Sequence, residues 1–322
     1  MILAGIDIGT NTLRLLIAET TPQTFKEITS DRRVTRLGQG LDLSGRLSPE
    51  AEERTLYALI DFSDQIRRYA AFQTAAIGTS ALRNASNSPA FIHEVKKRTG
   101  LDVRVIPGAE EARLTLLGVA RMLEQRGGRK KRSTPASAII IDIGGGSTEI
   151  IMTRPGGEPL IASLPLGAVY LTDRFIKNDP PWPEELFRLR QAIRTALDTF
   201  AETVRRKPDS VLIGTAGTIT TLTAIDQGLL SYDPERINHA ELTRERIEDI
   251  IVNLGVSTIE ERRTIRGLEQ GREDIILAGA FIAQEIMDRF GYASMLVSDW
   301  GLREGIVLDL YEKIAALDGA VE

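Results

Sequence analysis

An internal repeat limits what this chain can fold into more than any other feature. Asp7-Ile-Gly-Thr-Asn-Thr12, flanked by apolar runs, returns near the middle of the chain as Asp142-Ile-Gly-Gly-Gly-Ser-Thr148. Each reads as a strand, a tight turn of small residues and a returning strand, with an acid just before the turn. A second pair of turns follows at matched distance, since Gly78 stands 71 residues beyond Asp7 and Gly214 stands 72 beyond Asp142. A looser third echo joins segments 103–111 and 295–304, each a strand, a break and a helix bearing an acid, Glu111 or Glu304. One duplicated α/β unit with a shared cleft accounts for all three.

Local signals between these landmarks agree. Ser48-Pro49 has the cap and first-position residues of a helix that should run to about Ala70, and Ser88-Pro89 opens another that Gly100 closes. Residues 75–83 read as a short strand ending in a small-residue turn, and Pro107-Gly108 breaks a strand before the helix of Glu110 and Glu111. Strand and helix alternate, the pattern of an α/β fold. Residues 127–135, with two glycines, four basic residues and a proline, have linker composition and mark the expected hinge.

Composition excludes several classes. At 322 residues, 42% hydrophobic and 26% charged, the chain can form two ordinary domains. No stretch reads as a secretory leader or a membrane span, so the cytoplasm is the expected compartment; 275–283 is read as buried helix. Cysteine is absent, which removes disulfides and thiolate metal sites, and only His93 and His239 carry imidazole. A net charge of −5 argues against a nucleic-acid partner but leaves a local anion site open. Trp182, between two prolines, is expected to pack on the second half.

The turns carry the chemistry. Gly9 and the run Gly144, Gly145 and Gly146 let backbone N–H groups converge on an anion, while Thr10, Asn11, Thr12, Ser147 and Thr148 add polar groups, together forming nests for phosphoryl oxygens. The Gly214-Thr-Ala-Gly-Thr218 turn, with Gly214, Thr215, Gly217 and Thr218, is a weaker instance. Acids beside such nests would repel phosphate directly, so Asp7, Asp142 and Glu149 are candidates to hold Mg²⁺. Neither main turn is a dinucleotide fingerprint or a P-loop. Transfer of phosphate to water needs a base, and Glu110 and Glu111 are the available pair. Glu111 precedes Leu114 by three residues and Gly118 by seven, so it shares their inward helix face and is the favoured one.

Taken together, these residues make the chain resemble the exopolyphosphatase/guanosine pentaphosphate phosphatase family, whose members have two ribonuclease-H-like domains of the actin, sugar-kinase and chaperone ATPase superfamily. The resemblance rests on 7–14, 78–83, 108–113, 142–149, 214–218, 267–272 and 298–305, in family order along essentially the whole chain. It implies cytoplasmic hydrolysis of the terminal phosphoanhydride of inorganic polyphosphate, of guanosine pentaphosphate, or of both, with Mg²⁺ and a link to the stringent response. It further implies Glu111 as base, Asp142 and Glu149 near the metal, Arg83 as a phosphate ligand, and Arg14 and Arg272 at the nucleotide or distal phosphates. The last helix is expected to return to the first lobe, giving residues 1–124 plus about 301–322 as one domain and 125–300 as the other. Expected partners are polyphosphate or guanosine polyphosphate and a second copy of the chain, with no membrane and no nucleic acid. Thr10 and Thr12 stand where the family often has Ser, and the resemblance is to the family's short two-domain form, expected to lack the helical region that longer members append.

Two other readings use the same residues. A kinase or ATPase of the superfamily would need an adenosine pocket and a phosphate acceptor, and a non-catalytic sensor would bind guanosine polyphosphates without releasing phosphate. The basic run 129–132 reads as a solvated linker segment.

Overall fold

A computed structural model describes residues 1–124, 137–154, 156–201 and 210–318. The expected hinge at 127–135 and the basic run 129–132 lie outside the described residues. The chain divides into two compact units, Met1–Arg121 together with the segment from Gly301, and Met122–Trp300.

The first unit is built on β1 (Ile2–Ile8), β2 (Thr12–Thr20), β3 (Phe25–Val34), β4 (Gln73–Gly78) and β5 (Val103–Val105), in the order β3-β2-β1-β4-β5. The first three are antiparallel neighbours, and β4 and β5 join parallel to β1. The second unit has β6 (Ala138–Ile143), β7 (Thr148–Arg154), β8 (Gly157–Leu164), β9 (Val211–Thr215), β10 (Glu241–Thr243) and β11 (Ser294–Val297), ordered β10-β11-β9-β6-β7-β8. Read from β8, this is the first unit's order over again, with β10 added antiparallel beyond β11. The repeat in sequence is therefore a duplication of fold. Each central strand is buried along its length because helices cover both sheet faces, and β6 accordingly consists of Ala-Ile-Ile-Ile-Asp-Ile.

The second echo also holds, with a shift. Ile106 N donates to Gly78 O at 3.0 Å and Ser298 N to Gly214 O at 2.9 Å, so the two glycines occupy equivalent places. Gly78 faces Ile8, one residue past Asp7, whereas Gly214 faces Ile141, one residue before Asp142. The slip is two residues, one full side-chain period of a strand, so every side chain keeps its face.

Helix Pro49–Arg68 starts as expected, the Ser48 hydroxyl accepting from Ala51 N at 3.2 Å. Helix Ser88–Thr99 ends at Gly100 in the left-handed region, but Ser88 is its first residue rather than its cap. The side chain of Asn87, at the cap position, instead ties Leu47 through both its amide groups. Helix Ile276–Phe290 is buried almost throughout and forms part of the second unit's core. Among the described residues no helix is long and apolar enough to cross a membrane. Trp182 does not pack as expected: it is 60% exposed, and the Glu185 carboxylate accepts its backbone N–H at 2.9 Å.

Helix Leu302–Asp318 belongs to the first unit and lies on β1, where a Cβ on Gly5 would stand 2.8 Å from Val307 Cγ2. It crosses helix Gly108–Glu124 at two glycines. A Cβ at Gly305 would fall 1.8 Å from Leu114 O, and one at Gly118 would fall 2.1 Å from Gly301 O. The backbones touch because neither residue has a side chain. Leu114, Leu302 and Ile306 close a small core with Ile77 and Ile106, which fixes the start of helix Gly108–Glu124 over the carboxyl ends of β4 and β5.

Candidate active site

The two glycine turns share one construction. Gly9 N donates to Thr12 O at 3.1 Å and Gly144 N to Ser147 O at 3.0 Å, so both hairpins close on the same bond. Each loop is then backed by the segment that follows its unit's third strand. In the first unit Gly38 N donates to Thr10 O (2.8 Å), and Thr35 N and Arg36 N donate to Asn11 O (3.1 and 2.9 Å). In the second, Ala168 N donates to Gly144 O (3.0 Å), and Val169 N and Tyr170 N donate to Gly145 O (2.8 and 3.1 Å). Because a trans peptide holds its N–H opposite its C=O, the amides of Asn11 and Thr12, and of Gly145 and Gly146, point away from that backing. Two successive amides aimed the same way are the elements of an anion nest. Gly167 permits the close backing, since a Cβ there would stand 2.2 Å from Gly145 O.

The polar side chains of these turns divide by use. Thr148 is fully buried and its hydroxyl donates to Leu166 O, whereas Ser147 keeps 6% of its surface exposed. Thr10 presses its methyl on Gly38, where a Cβ would stand 2.3 Å away. Asn11, 4% exposed, donates from Nδ2 to Thr12 Oγ1 at 3.4 Å, while its Oδ1 has no hydrogen-bond partner among the described residues. Such a buried acceptor suits the hydrogen of a bound ligand or water.

At the second pair of turns the glycines serve packing. Gly78 makes room for Leu82, and Gly214 for Met295 and Ile219. Thr215 donates to Trp300 O at 3.0 Å and Thr218 lies buried with its methyl toward Gly279. Gly217 stands in the first turn of helix Ala216–Asp226 and is buried. Its neighbour Ala216 has φ 69, a costly left-handed conformation for a residue with a side chain. Sequence reasoning had no signal for it, because alanine carries none.

Glu110 and Glu111 part company. Glu110 accepts from Arg104 Nη1 with both oxygens, at 2.7 and 2.8 Å, on the outer side of the helix. Glu111 turns inward, its side chain 9% exposed, and meets Arg83 Nη1 at 3.2 Å. The same Nη1 donates to Ile106 O at 2.7 Å. Arg83 comes from the short helix after β4 and Glu111 from the first turn after β5, so the ends of two parallel strands bring them together.

The acids of the glycine turns have unlike partners. Asp142 faces Glu149 across β6 and β7, whereas Asp7 faces Arg14 across β1 and β2. Ser163 on β8 donates to Glu149 Oε1 at 2.7 Å; β8 gives no sequence signal that singles this serine out. Asp142 and Glu149 are 7% and 1% exposed. Like charges opposite one another in a sheet repel, and a cation between them removes the conflict. Among the described residues no group of three or more His, Asp or Glu side chains is placed to hold one metal ion. Two hard carboxylates side by side nevertheless match what Mg²⁺ takes from a protein, its other positions going to water and phosphate oxygen. Arg272, in the second unit, is buried and donates from Nε to Glu269 Oε2 at 2.6 Å.

Two copies of one strand order, each with a backed small-residue turn beside a buried acid, define a duplicated α/β protein of two ribonuclease-H-like units. The family model described as Ppx/GppA phosphatase matches residues 16–314, and the chain belongs to that family. Exopolyphosphatase 2 of Mycobacterium tuberculosis is 32% identical over 322 residues, covering 95% of this chain and 98% of that protein. The crystal structure of the Aquifex aeolicus Ppx/GppA family member is similar with TM-score 0.78 at 33% identity, over 97% of this chain and 98% of that one. An exopolyphosphatase from Cytophaga hutchinsonii superposes with TM-score 0.87 at 26% identity, over 97% and 98% of the two chains.

Proposed function

We propose that the chain hydrolyses the terminal phosphoanhydride of inorganic polyphosphate, of guanosine pentaphosphate, or of both, releasing orthophosphate in the cytoplasm. The observation that carries this reading is the inward Glu111 carboxylate held against Arg83 at the mouth of β4 and β5. The substrate class comes from the similarity to proteins named exopolyphosphatase.

In this mechanism the amides of the glycine turns grip phosphoryl oxygens, and Arg83 orients Glu111 and places positive charge beside the terminal phosphate. Glu111 takes a proton from water as the water oxygen bonds to the terminal phosphorus. The bridging P–O bond breaks, and the shortened chain leaves with the bond's electron pair. Asn11 Oδ1 accepts a hydrogen from bound water or ligand. Asp142 and Glu149 are the residues that would hold Mg²⁺, which supplies charge neutralisation to phosphate oxygens when bound.

The test is phosphate release from polyphosphate of several lengths, guanosine pentaphosphate and ATP, with and without Mg²⁺, for the wild type and Glu111→Gln. Turnover should fall roughly 10²- to 10⁴-fold in the variant while substrate binding persists. Absence of release from every substrate by the wild type defeats the proposal, and phosphate transfer to an acceptor other than water points to a kinase instead.

A further inference from the structure

Among the described residues Arg262 is the largest side chain that the fold buries completely, at 1% exposure. It ends the short helix Ile259–Arg262 in the second unit. Its hydrogen bonds there all go to backbone carbonyls: Nε and Nη2 donate to Leu254 O at 3.1 and 2.7 Å, and Nη1 donates to Glu273 O at 3.0 Å. Burial pushes its pKa down and the fields of Asp179 and Asp274 act against that, yet an arginine keeps its charge at any working pH. Burying a charge is unfavourable, and an aliphatic residue would fill the same space without that penalty. What the guanidinium adds is a rigid fork that joins two separate pieces of backbone.

Those two pieces lie on either side of Arg262 along the chain. Leu254 belongs to the last turn of helix Arg244–Val256, whose final carbonyls lack partners within the helix. Glu273 stands three residues before helix Ile276–Phe290. The irregular segment 263–275 is pinned twice more. Gly267, with φ 85, sits so close on helix Ala216–Asp226 that a Cβ would fall 2.1 Å from Ala224 O. Both oxygens of the Glu273 carboxylate accept from Gly271 N, at 3.0 and 2.9 Å. The segment ends at Ile275, which packs on Ala168 and Val169. These are the residues whose amides back the Gly144 and Gly145 carbonyls. A continuous chain of contacts thus runs from the Arg262 guanidinium to the rear of the second glycine turn.

We infer that Arg262 is a positioning residue for phosphate binding: it fixes residues 263–275, and through Ile275 it sets the Gly145 and Gly146 amides that face a phosphoryl group. It touches no substrate. Its loss leaves two buried carbonyls without a donor, and the backbone that carries them relaxes toward water. The amides of the turn hold phosphoryl oxygens before and during the reaction alike, so a shift of the turn weakens binding of substrate and transition state together. The signature is a raised KM at nearly constant kcat. This inference rests on the proposed reading of that turn as a grip for phosphate.

The experiment measures kcat and KM on long-chain polyphosphate, the calorimetric Kd for the same polymer and thermal melting. The variants are Arg262→Met, Arg262→Lys, Ile275→Val, the double variant of Arg262→Lys with Ile275→Val, and Phe290→Leu. Phe290 closes the far end of helix Ile276–Phe290, edge-on to Phe200, and serves as the control for general loosening. Arg262→Met should raise KM and Kd roughly tenfold at nearly constant kcat, and Arg262→Lys, which reaches one carbonyl but not both, roughly threefold. Ile275→Val should raise them about twofold, and the double variant should lose less than the product of the two singles, because both act along one path. Phe290→Leu should lower Tm and leave KM and Kd in place. A lower Tm with unchanged KM and Kd in the Arg262 variants overturns the inference, as does an equal rise in Phe290→Leu or a double variant whose losses simply multiply. Arg262→Lys and the double variant decide the matter if Arg262→Met does not fold. If the wild type releases no phosphate but binds the long chain, and Arg262→Lys binds it more weakly, the hydrolase reading fails while the positioning role stands.

Discussion

Arg83 Nη1 donates at once to Glu111 Oε2 (3.2 Å) and to Ile106 O (2.7 Å), so one guanidinium fixes both the acid and the strand end from which its helix departs. The carboxylate therefore has a set direction before any substrate arrives, which is what positioning a water nucleophile requires. Lysine has a single point of charge and cannot reproduce a planar fork. Arg83→Gln should lower kcat by about two orders of magnitude and Arg83→Lys by about one, read from phosphate release with melting curves to confirm folding.

The crossing of the two long helices of the first unit has no slack. A methyl on Gly305 would enter the Leu114 carbonyl at 1.8 Å, and neither partner is a flexible side chain that could swing aside. Gly305→Ala should destabilise the protein by about 1–3 kcal/mol in chemical denaturation. Because Leu114 lies one turn from Glu111, the variant should also lose turnover at temperatures where it remains folded. Gly100→Ala tests the contrast: nothing surrounds that Cβ position, and the cost there comes from φ 77 alone.

Why the site could be read in the sequence, and where it could not, follows from what carries it. Asp7, Asp142 and the glycines announce themselves because a tight turn narrows the choice of residue, and a narrow choice repeated twice is a pattern. Glu111 was separable from Glu110 by helical spacing alone, since burial follows the Leu114 face. The two-residue slip between Gly78 and Gly214 was invisible, because spacings of 71 and 72 look alike until strands are paired. Ser163 and Ala216 were missed for related reasons. The first acts through a partner on a neighbouring strand that no local motif encodes, and the second matters through a backbone angle. Thr148 and Thr215 looked like phosphate ligands by residue type, yet their hydroxyls are given to the carbonyls of Leu166 and Trp300, partners far away in sequence.

The opposed acids Asp142 and Glu149 make a prediction about metal and stability together. Without a cation their proximity costs free energy, so Glu149→Gln should melt at a higher temperature than the wild type in chelator. Added Mg²⁺ should raise the wild-type Tm and move the variant less, since a ligand that binds only the folded state stabilises it in proportion to its affinity. Calorimetric titration should give a Kd for Mg²⁺ roughly tenfold weaker in the variant. Equal Mg²⁺ shifts in both proteins would place the ion elsewhere.

Asp309 links the same pair of helices by charge. It accepts from Arg113 at 2.6 Å and from Lys313 at 2.7 Å. Burial alone would push its carboxyl up, but the bonds from Lys313 and Arg113 outweigh that and hold it below its ordinary 3.8. A lowered folded-state value means that the unfolded chain takes up the proton first. The stabilisation is thus complete well above pH 3.8 and is lost as pH falls below it, through the lowered value. Asp309→Asn should flatten the acid limb of a stability-versus-pH curve in that range and cost about 0.5–1 kcal/mol near neutrality, small because Arg113 and Lys313 are solvated. High salt should narrow the difference between wild type and variant at pH 7 while leaving the cost of Gly305→Ala untouched, because one change acts through charge and the other through contact.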